Sequence, residues 1–380
     1  MTETCATQPG APARPAAPAK RYSPIRSRWP QLVGYATASW SLIYGLLGLY
    51  WTFGGGGFPF GTEHDPLGAK ISILERAEPA TAGLVIAVLG LAGAVIAVLI
   101  ARRPAWGPAG AALIGFAWTM AAALAVVVPD YRPLLAVVRL PMFLIFAPLG
   151  LTQGVSLADF FPAFLPWPVV NQILMMAGGA LWAASAVAYR RSVRDACGNC
   201  GRTETPSGWS TPARAARWGR WAVHIAVLIP VFYALTRWAW ALDIPFGVSR
   251  EELEKEARES PGIWWAGAML ATMAVGGAIL TRGLVRPWGE VYPRWIPFLR
   301  GKRVRPRTAI IPASLVAILV TSAGLMYLRG SALGYLSVDA QSWGMVVPEF
   351  FWPLWGVALA AATLAYHLRR RGQCRYCHRS

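Results

Sequence analysis

Residues 81–101 read TAGLVIAVLGLAGAVIAVLIA, a run of 21 residues without a charged side chain. A helix rises 1.5 Å per residue, so this run is long enough to cross the hydrocarbon core of a bilayer, which is about 30 Å thick. A second run of 20 uncharged residues extends from Ala109 to Val128. Only 14% of the 380 residues are charged, whereas soluble domains usually carry about 25%. The sequence therefore predicts an all-α, polytopic membrane protein.

About eight segments have the length and composition of transmembrane helices. Trp, Tyr and Arg residues lie at their flanks, as is typical of membrane interfaces. The predicted spans are Gly34–Phe53, Thr81–Ala101, Ala109–Val128, Val170–Tyr189, Trp221–Leu242, Gly262–Thr281, Thr308–Tyr327 and Phe350–His367.

One further apolar segment, Leu134–Leu151, complicates this topology. It carries Arg139 in its interior, and Pro141 and Pro148 would interrupt helical hydrogen bonding. If it crossed the membrane, the basic loops that follow it would move to the opposite side. We therefore expect residues 134–151 to form an interfacial or re-entrant helix.

The distribution of charge predicts the orientation. The net charge is +18. With a cytoplasmic N-terminus, the inner segments hold 27 of the 36 Lys and Arg residues but only 4 of the 18 Asp and Glu residues. This bias follows the positive-inside rule, so both termini are predicted to be cytoplasmic. It also accounts for the net charge without nucleic acid as a partner, and it makes anionic lipids the expected partners of the basic cytoplasmic loops.

The N-terminal residues 1–33 are rich in Ala and Pro and lack the apolar core of a signal peptide. They are predicted to form a disordered cytoplasmic tail, and Cys5 within it is expected to be free. The abundance of Ala, Arg, Gly and Pro favours a bacterial origin, so the expected location is the bacterial plasma membrane.

The chain contains an internal duplication. Tyr-Gly-Leu at 44–46 recurs as Tyr-Ala-Leu at 233–235, and Phe-Pro-Phe-Gly at 58–61 recurs as Ile-Pro-Phe-Gly at 244–247. Tyr189, Cys197 and Cys200 recur 177 residues later as Tyr366, Cys374 and Cys377. We predict a four-helix repeat at 34–201, a basic linker at 202–220 and a second repeat at 221–380. Because four spans is an even number, the two repeats should be parallel.

Two C-x-x-C motifs, one at the end of each repeat, are the strongest indication of a functional site. This spacing is common among structural zinc ligands, and the duplication would bring the pairs together. We therefore predict a cytoplasmic zinc site whose ligands are Cys197, Cys200, Cys374 and Cys377. The cytoplasm keeps thiols reduced, which disfavours structural disulfides.

Other interpretations of these cysteines are open. The neighbouring arginines would favour thiolates, so the motifs could form redox-active dithiols, or the cysteines could be inert. Residues 374–378 also match the C-x-x-C-H pattern of haem attachment, but the first copy ends in Gly201 where the second has His378.

An arginine within a predicted span and a basic loop each have more than one interpretation. Arg237 could extend outward from its span or pair with Asp243, Asp130 or Glu349. The loop 282–307 alternates aromatic and basic residues, which is typical of a lipid-interface anchor and also compatible with anionic-lipid sensing or partner docking.

The segments WALDIPFG (240–247) and WGEVYPRW (288–295), together with the C-x-x-C pairs, resemble uncharacterised multi-pass membrane proteins of GC-rich actinobacteria. This resemblance implies a bacterial membrane location and no particular activity.

Three functions remain compatible with the sequence. The first is a structural, sensory or interaction protein with a zinc-binding clamp. The second is a transporter of a small or apolar molecule, and the third is a membrane enzyme with an outer-face site. No catalytic motif was recognised, so no catalytic residue is predicted and an enzyme is not favoured.

Overall fold

Helices form the regular structure of this computed structural model, which describes residues 28–66, 68–102, 107–146, 157–204, 208–294 and 297–379. The helices of the first half are α1 (Trp29–Thr52), α2 (Pro79–Arg102), α3 (Pro108–Ala122), α4 (Arg132–Phe146), α5 (Leu157–Phe164) and α6 (Trp167–Val193). Those of the second half are α7 (Pro212–Ala241), α8 (Arg250–Glu259), α9 (Ile263–Gly283), α10 (Pro306–Ala332), α11 (Val347–Phe350) and α12 (Trp352–Arg370). A π-helical turn, Ala123–Val127, extends α3.

Seven helices in the described part of the chain are long and apolar enough to cross a membrane. They are α1, α2, α3 with its π turn, α6, α7, α9 and α10. The all-α, polytopic architecture expected from the sequence is therefore confirmed. The eighth predicted span corresponds to α12, which is less apolar because it includes two tryptophans, a histidine and two terminal arginines.

Proline and arginine mark the two ends of the long helices. Seven of them, α1, α2, α3, α6, α7, α10 and α12, have proline in the first turn. Proline is tolerated there because the first backbone N–H groups have no helical acceptor. The last turns of α2, α6, α9 and α12 carry arginine, whose charge complements the negative end of the helix dipole.

The two halves pair their long helices in the same order. In the first half α1 packs against α2 and α6, and α6 packs against α3. In the second half α7 packs against α9 and α12, and α12 packs against α10. Each half has its own apolar core, one including Trp182 and Tyr189 and the other including Trp352 and Tyr366.

Glycines allow α1 and α2 to approach closely. A Cβ added to Gly48 would lie 2.5 Å from the backbone nitrogen of Ala87, and one added to Gly90 would lie 2.5 Å from the nitrogen of Gly45. Membrane helices use small residues in this way because close packing replaces the hydrophobic driving force that is missing in lipid.

The halves meet along α10. This helix packs against the π turn that ends α3, and Ser322 Oγ donates a hydrogen bond of 2.8 Å to the carbonyl of Pro129. Arg329 Nη1 donates to the carbonyl of Val127 at 2.9 Å. These bonds use carbonyl groups at the end of α3, which lack helical partners.

Part of the segment 134–151 forms α4, which ends at Phe146 and contains Pro141. Its Arg139 guanidinium lies 4.6 Å from the ring centre of Phe164 on α5. The remainder of this segment, up to Leu151, lies outside the described residues, as do Cys5 and residues 1–27 of the predicted N-terminal tail.

Candidate metal centre

The first C-x-x-C motif forms a tight loop just after α6. The backbone N–H of Cys197 donates to the carbonyl of Arg202 at 3.0 Å, and the N–H of Gly201 donates back to the carbonyl of Cys197 at 2.7 Å. Gly201 has φ +71°, a left-handed conformation that glycine adopts without strain. The loop thereby turns the Cys200 side chain back toward Cys197.

The second motif repeats this backbone after α12. The N–H of Cys374 donates to the carbonyl of Arg379, and the N–H of His378 donates to the carbonyl of Cys374, both at 2.9 Å. His378 has φ +54°, so it adopts the left-handed conformation of its counterpart Gly201. The histidine of the C-x-x-C-H pattern thus occupies a turn position in the loop.

The four sulfur atoms lie together, and all of them are within 4.8 Å of one another. The Sγ atoms of Cys197 and Cys374 are 3.9 Å apart, and those of Cys200 and Cys377 are 3.6 Å apart. A tetrahedral zinc ion with Zn–S distances of about 2.3 Å requires sulfur separations of about 3.8 Å. A disulfide requires about 2.05 Å, so these are four free thiols with the spacing of a metal site.

Backbone N–H groups favour thiolates in this cluster. Burial disfavours ionisation of Cys374, but the N–H groups of Cys377 and Tyr376 outweigh this effect and lower its pKa to about 6. The pKa of Cys197 is lowered in the same way by the N–H groups of Cys200 and Asn199, against an opposing effect of burial. Burial raises the pKa of Cys200 to about 12. In the first motif Cys197 is therefore more readily ionised than Cys200.

Two arginines at equivalent positions join the loops. Arg202 Nη1 donates to the carbonyl of Arg379 at 2.7 Å, and Arg379 Nη1 donates to the carbonyl of Arg202 at 3.3 Å. Arg202 also donates to the carbonyl of Gly372 at 3.0 Å. Each guanidinium therefore binds the backbone of the other loop. Hydrogen bonds, and not only the contact of the sulfur atoms, join the two motifs.

The start of α1 supports the first loop. Trp29 Nε1 and Arg191 Nη1 both donate to the carbonyl of Gly198, at 3.0 Å and 2.9 Å. Arg191 also lies 5.4 Å from the Trp29 ring centre. The cluster thus connects the ends of α1, α6 and α12, and because its sulfurs are in contact, α6 and α12 end on the same side of the helix bundle.

At the other end of the bundle, Arg237 pairs with Glu349, one of the three partners considered for it. Glu349 is only 2% exposed. Arg237 also donates to the carbonyls of Gly344 and Met345, at 3.1 Å and 3.4 Å. Asp243, another considered partner, pairs instead with Arg250 on the surface at 3.1 Å.

A second buried charge cluster was not anticipated from the sequence. Arg132 binds Asp65 through Nη1 and Nη2, at 2.8 Å and 2.6 Å, and Asp130 through Nε at 2.8 Å. Gln172 Nε2 donates to the same Asp130 oxygen at 2.8 Å. Asp65 is 67 residues from Arg132, so no local spacing pointed to this contact.

An outer-face enzyme site, the third function considered, would need an acid-lined pocket near Asp130, Asp243, Asp339 or Glu349. Asp130, Asp243 and Glu349 each contact an arginine. A carboxylate held in such a pair has fewer free lone pairs for a substrate. The three carboxylates are therefore placed to hold loops and helix ends in position.

Comparison of the chain with protein-family models, with curated proteins and with solved structures found no match.

Proposed function

We propose that Cys197, Cys200, Cys374 and Cys377 bind one zinc ion that clamps together two parallel four-helix repeats of a bacterial plasma-membrane protein. The protein would serve a structural, sensory or interaction role, with the clamp on the cytoplasmic side. The observation that carries this proposal is the contact of two matched thiol pairs, with sulfur separations close to those of a tetrahedral zinc site.

The donor set favours zinc over harder cations. Four sulfur ligands select soft or borderline ions, whereas calcium and magnesium require oxygen ligands. Zinc has no redox chemistry of its own, and a site with four protein ligands leaves no position open for a substrate. A Cys₄ site therefore supports a structural or regulatory role better than a catalytic one.

The duplication supports a clamp between two halves. Both motifs have the same backbone hydrogen bonds, and the long helices pair in the same order in each half. Cys197 and Cys374 are 177 residues apart. A cross-link that closes a loop of this length stabilises a chain by about 5 kcal/mol in the loop-entropy treatment, an upper value for a membrane protein whose unfolded helices stay inserted. Metal loss would therefore loosen the contact between the halves.

Metal content tests the proposal directly. The full chain would be purified in detergent under reducing conditions without added metal, and zinc per chain would be measured by inductively coupled plasma mass spectrometry. We expect about one zinc ion per chain. A Cys374→Ser/Cys377→Ser variant should lose it, because two ligands remain and two serine hydroxyls bind zinc weakly.

Cys5→Ser provides the matched control, since it removes a thiol of the N-terminal segment and leaves the cluster intact. It should keep the wild-type zinc content. Wild-type protein without zinc, or zinc retained by the double serine variant, would contradict a shared four-cysteine site.

A further inference from the structure

A groove runs between α7 and α9 at the end of the bundle that carries the cysteines. It contains adjoining cavities of about 540 Å³ and about 260 Å³, which share Arg220, His224, Val227 and Arg282 as lining residues. Arg286, just after α9, lines the smaller cavity. Three arginines therefore line one groove at the ends of two membrane-spanning helices.

None of these three arginines forms an ion pair within the described part of the chain. Arginines elsewhere in that part do have carboxylate partners, among them Arg132, Arg237 and Arg369. Like charges that converge without a carboxylate repel each other, and an added anion would relieve this repulsion. The groove thus has a charge suited to an anionic group.

Apart from the three arginines and His224, the residues that line the groove are apolar. Val227 and Leu228 line the larger cavity about two turns beyond Arg220 along α7, toward the membrane interior. Leu228 is 66% exposed and Trp221 is 74% exposed, so this side faces the surroundings of the bundle. On a transmembrane helix those surroundings are lipid, and Trp and Arg are the residues that anchor helices at the headgroup level.

We propose that this groove binds one anionic phospholipid. Its phosphate would lie among Arg220, Arg282 and Arg286, and an acyl chain would lie along Val227 and Leu228. A soluble anion would use the arginines alone, whereas a phospholipid uses both the charged and the apolar walls. The site does not depend on the cysteine cluster.

Lipid retention measured by native mass spectrometry tests this site. The full chain in detergent would be titrated with dioleoyl phosphatidylglycerol and, in parallel, with dioleoyl phosphatidylcholine. We expect one phosphatidylglycerol molecule to bind at concentrations at which phosphatidylcholine does not. An Arg220→Gln/Arg282→Gln variant should bind it about thirtyfold more weakly, which corresponds to about 1 kcal/mol for each arginine.

An Arg300→Gln/Arg307→Gln variant is the control, because it removes two exposed charges of the same basic loop region outside the groove. It should bind phosphatidylglycerol as the wild type does. Equal affinity for the two lipids, or equal loss in the control variant, would overturn the proposal. Displacement of the lipid by millimolar inorganic phosphate would also overturn it, because the groove would then bind a soluble anion.

Discussion

The buried ion pair between Arg237 and Glu349 should contribute strongly to stability, and a double-mutant cycle can measure it. The Arg237 side chain is 11% exposed and that of Glu349 is 2% exposed. Two unit charges about 4 Å apart attract by about 4 kcal/mol at an effective dielectric constant near 20. Removal of one member of such a pair typically costs about 3–5 kcal/mol, because the other charge stays buried without its partner.

The two single variants should differ. Arg237→Met leaves the Glu349 carboxylate without its guanidinium, so we expect a loss of about 4 kcal/mol. In Glu349→Gln, Arg237 keeps the carbonyls of Gly344 and Met345, and it stays 4.3 Å from the Trp240 ring centre. That variant should lose only about 2 kcal/mol, since these contacts still stabilise the cation.

The double variant should be less destabilised than the sum of the single variants, with a coupling free energy of about 2 kcal/mol. Equilibrium unfolding in mixed detergent micelles, followed by tryptophan fluorescence, would give the three free energies. The exposed pair Asp243–Arg250 is the matched control, and its neutralisation should cost less than about 1 kcal/mol. Additive effects at Arg237 and Glu349, within about 0.5 kcal/mol, would refute this reasoning.

Two further predictions concern glycines. Gly90→Val should destabilise the protein by about 3 kcal/mol in the same unfolding assay, because a Cβ there would meet the backbone of Gly45 at 2.5 Å. The control Gly277→Val, at a position with open space around it, should change stability by less than about 1 kcal/mol. Equal effects of the two variants would contradict close packing of α1 and α2. Gly201→Val should lower the zinc content of the purified protein, because a β-branched residue is strained at φ +71°. His378→Gly should keep the zinc, since glycine fits the left-handed position of the second loop. Loss of metal in the His378→Gly variant would instead indicate that the histidine is a ligand.

The transmembrane helices were predictable because a bilayer imposes a simple length and composition. Residues 81–101 lie within α2, and Ala109–Val128 matches α3 with its π turn to within a residue or two. The start of α1 was predicted less accurately. The helix begins at Trp29, ahead of the predicted Gly34, and Trp29 donates a hydrogen bond to the cysteine loop after α6. Hydropathy contains no information about such a contact.

The cysteine cluster was predictable for a different reason. The 177-residue offset between the motifs implied equivalent positions, and equivalent positions at helix ends can meet across a pseudo-symmetric interface. The reciprocal bonds of Arg202 and Arg379 were not foreseen, although both arginines follow their motifs at the same offset. Their acceptors are backbone carbonyls, whose positions depend on the folded loops.

The contact of Arg132 with Asp65 could not be read from the sequence, because it joins segments that are distant in the chain. An arginine close to a membrane span has two low-energy options, a carboxylate partner or an aqueous and headgroup environment. At the end of the bundle opposite the cysteines, Arg132 and Arg237 have carboxylate partners. Spacing along one chain cannot distinguish these options unless the partners share a helix face.

Arginines have carboxylate partners at both ends of the bundle, and at the cysteine end Arg369 contacts Glu290. At the end away from the cysteines, buried guanidinium groups are neutralised by Asp and Glu, and they hold loops against helices. At the cysteine end, Arg220, Arg282 and Arg286 converge on a groove with no carboxylate among its lining residues. Unneutralised arginines resist transfer across a bilayer and attract anionic headgroups, which is the physical basis of the positive-inside rule. The cytoplasmic location that we propose for the cysteine end would place the thiols in a reducing environment, which keeps them available for zinc.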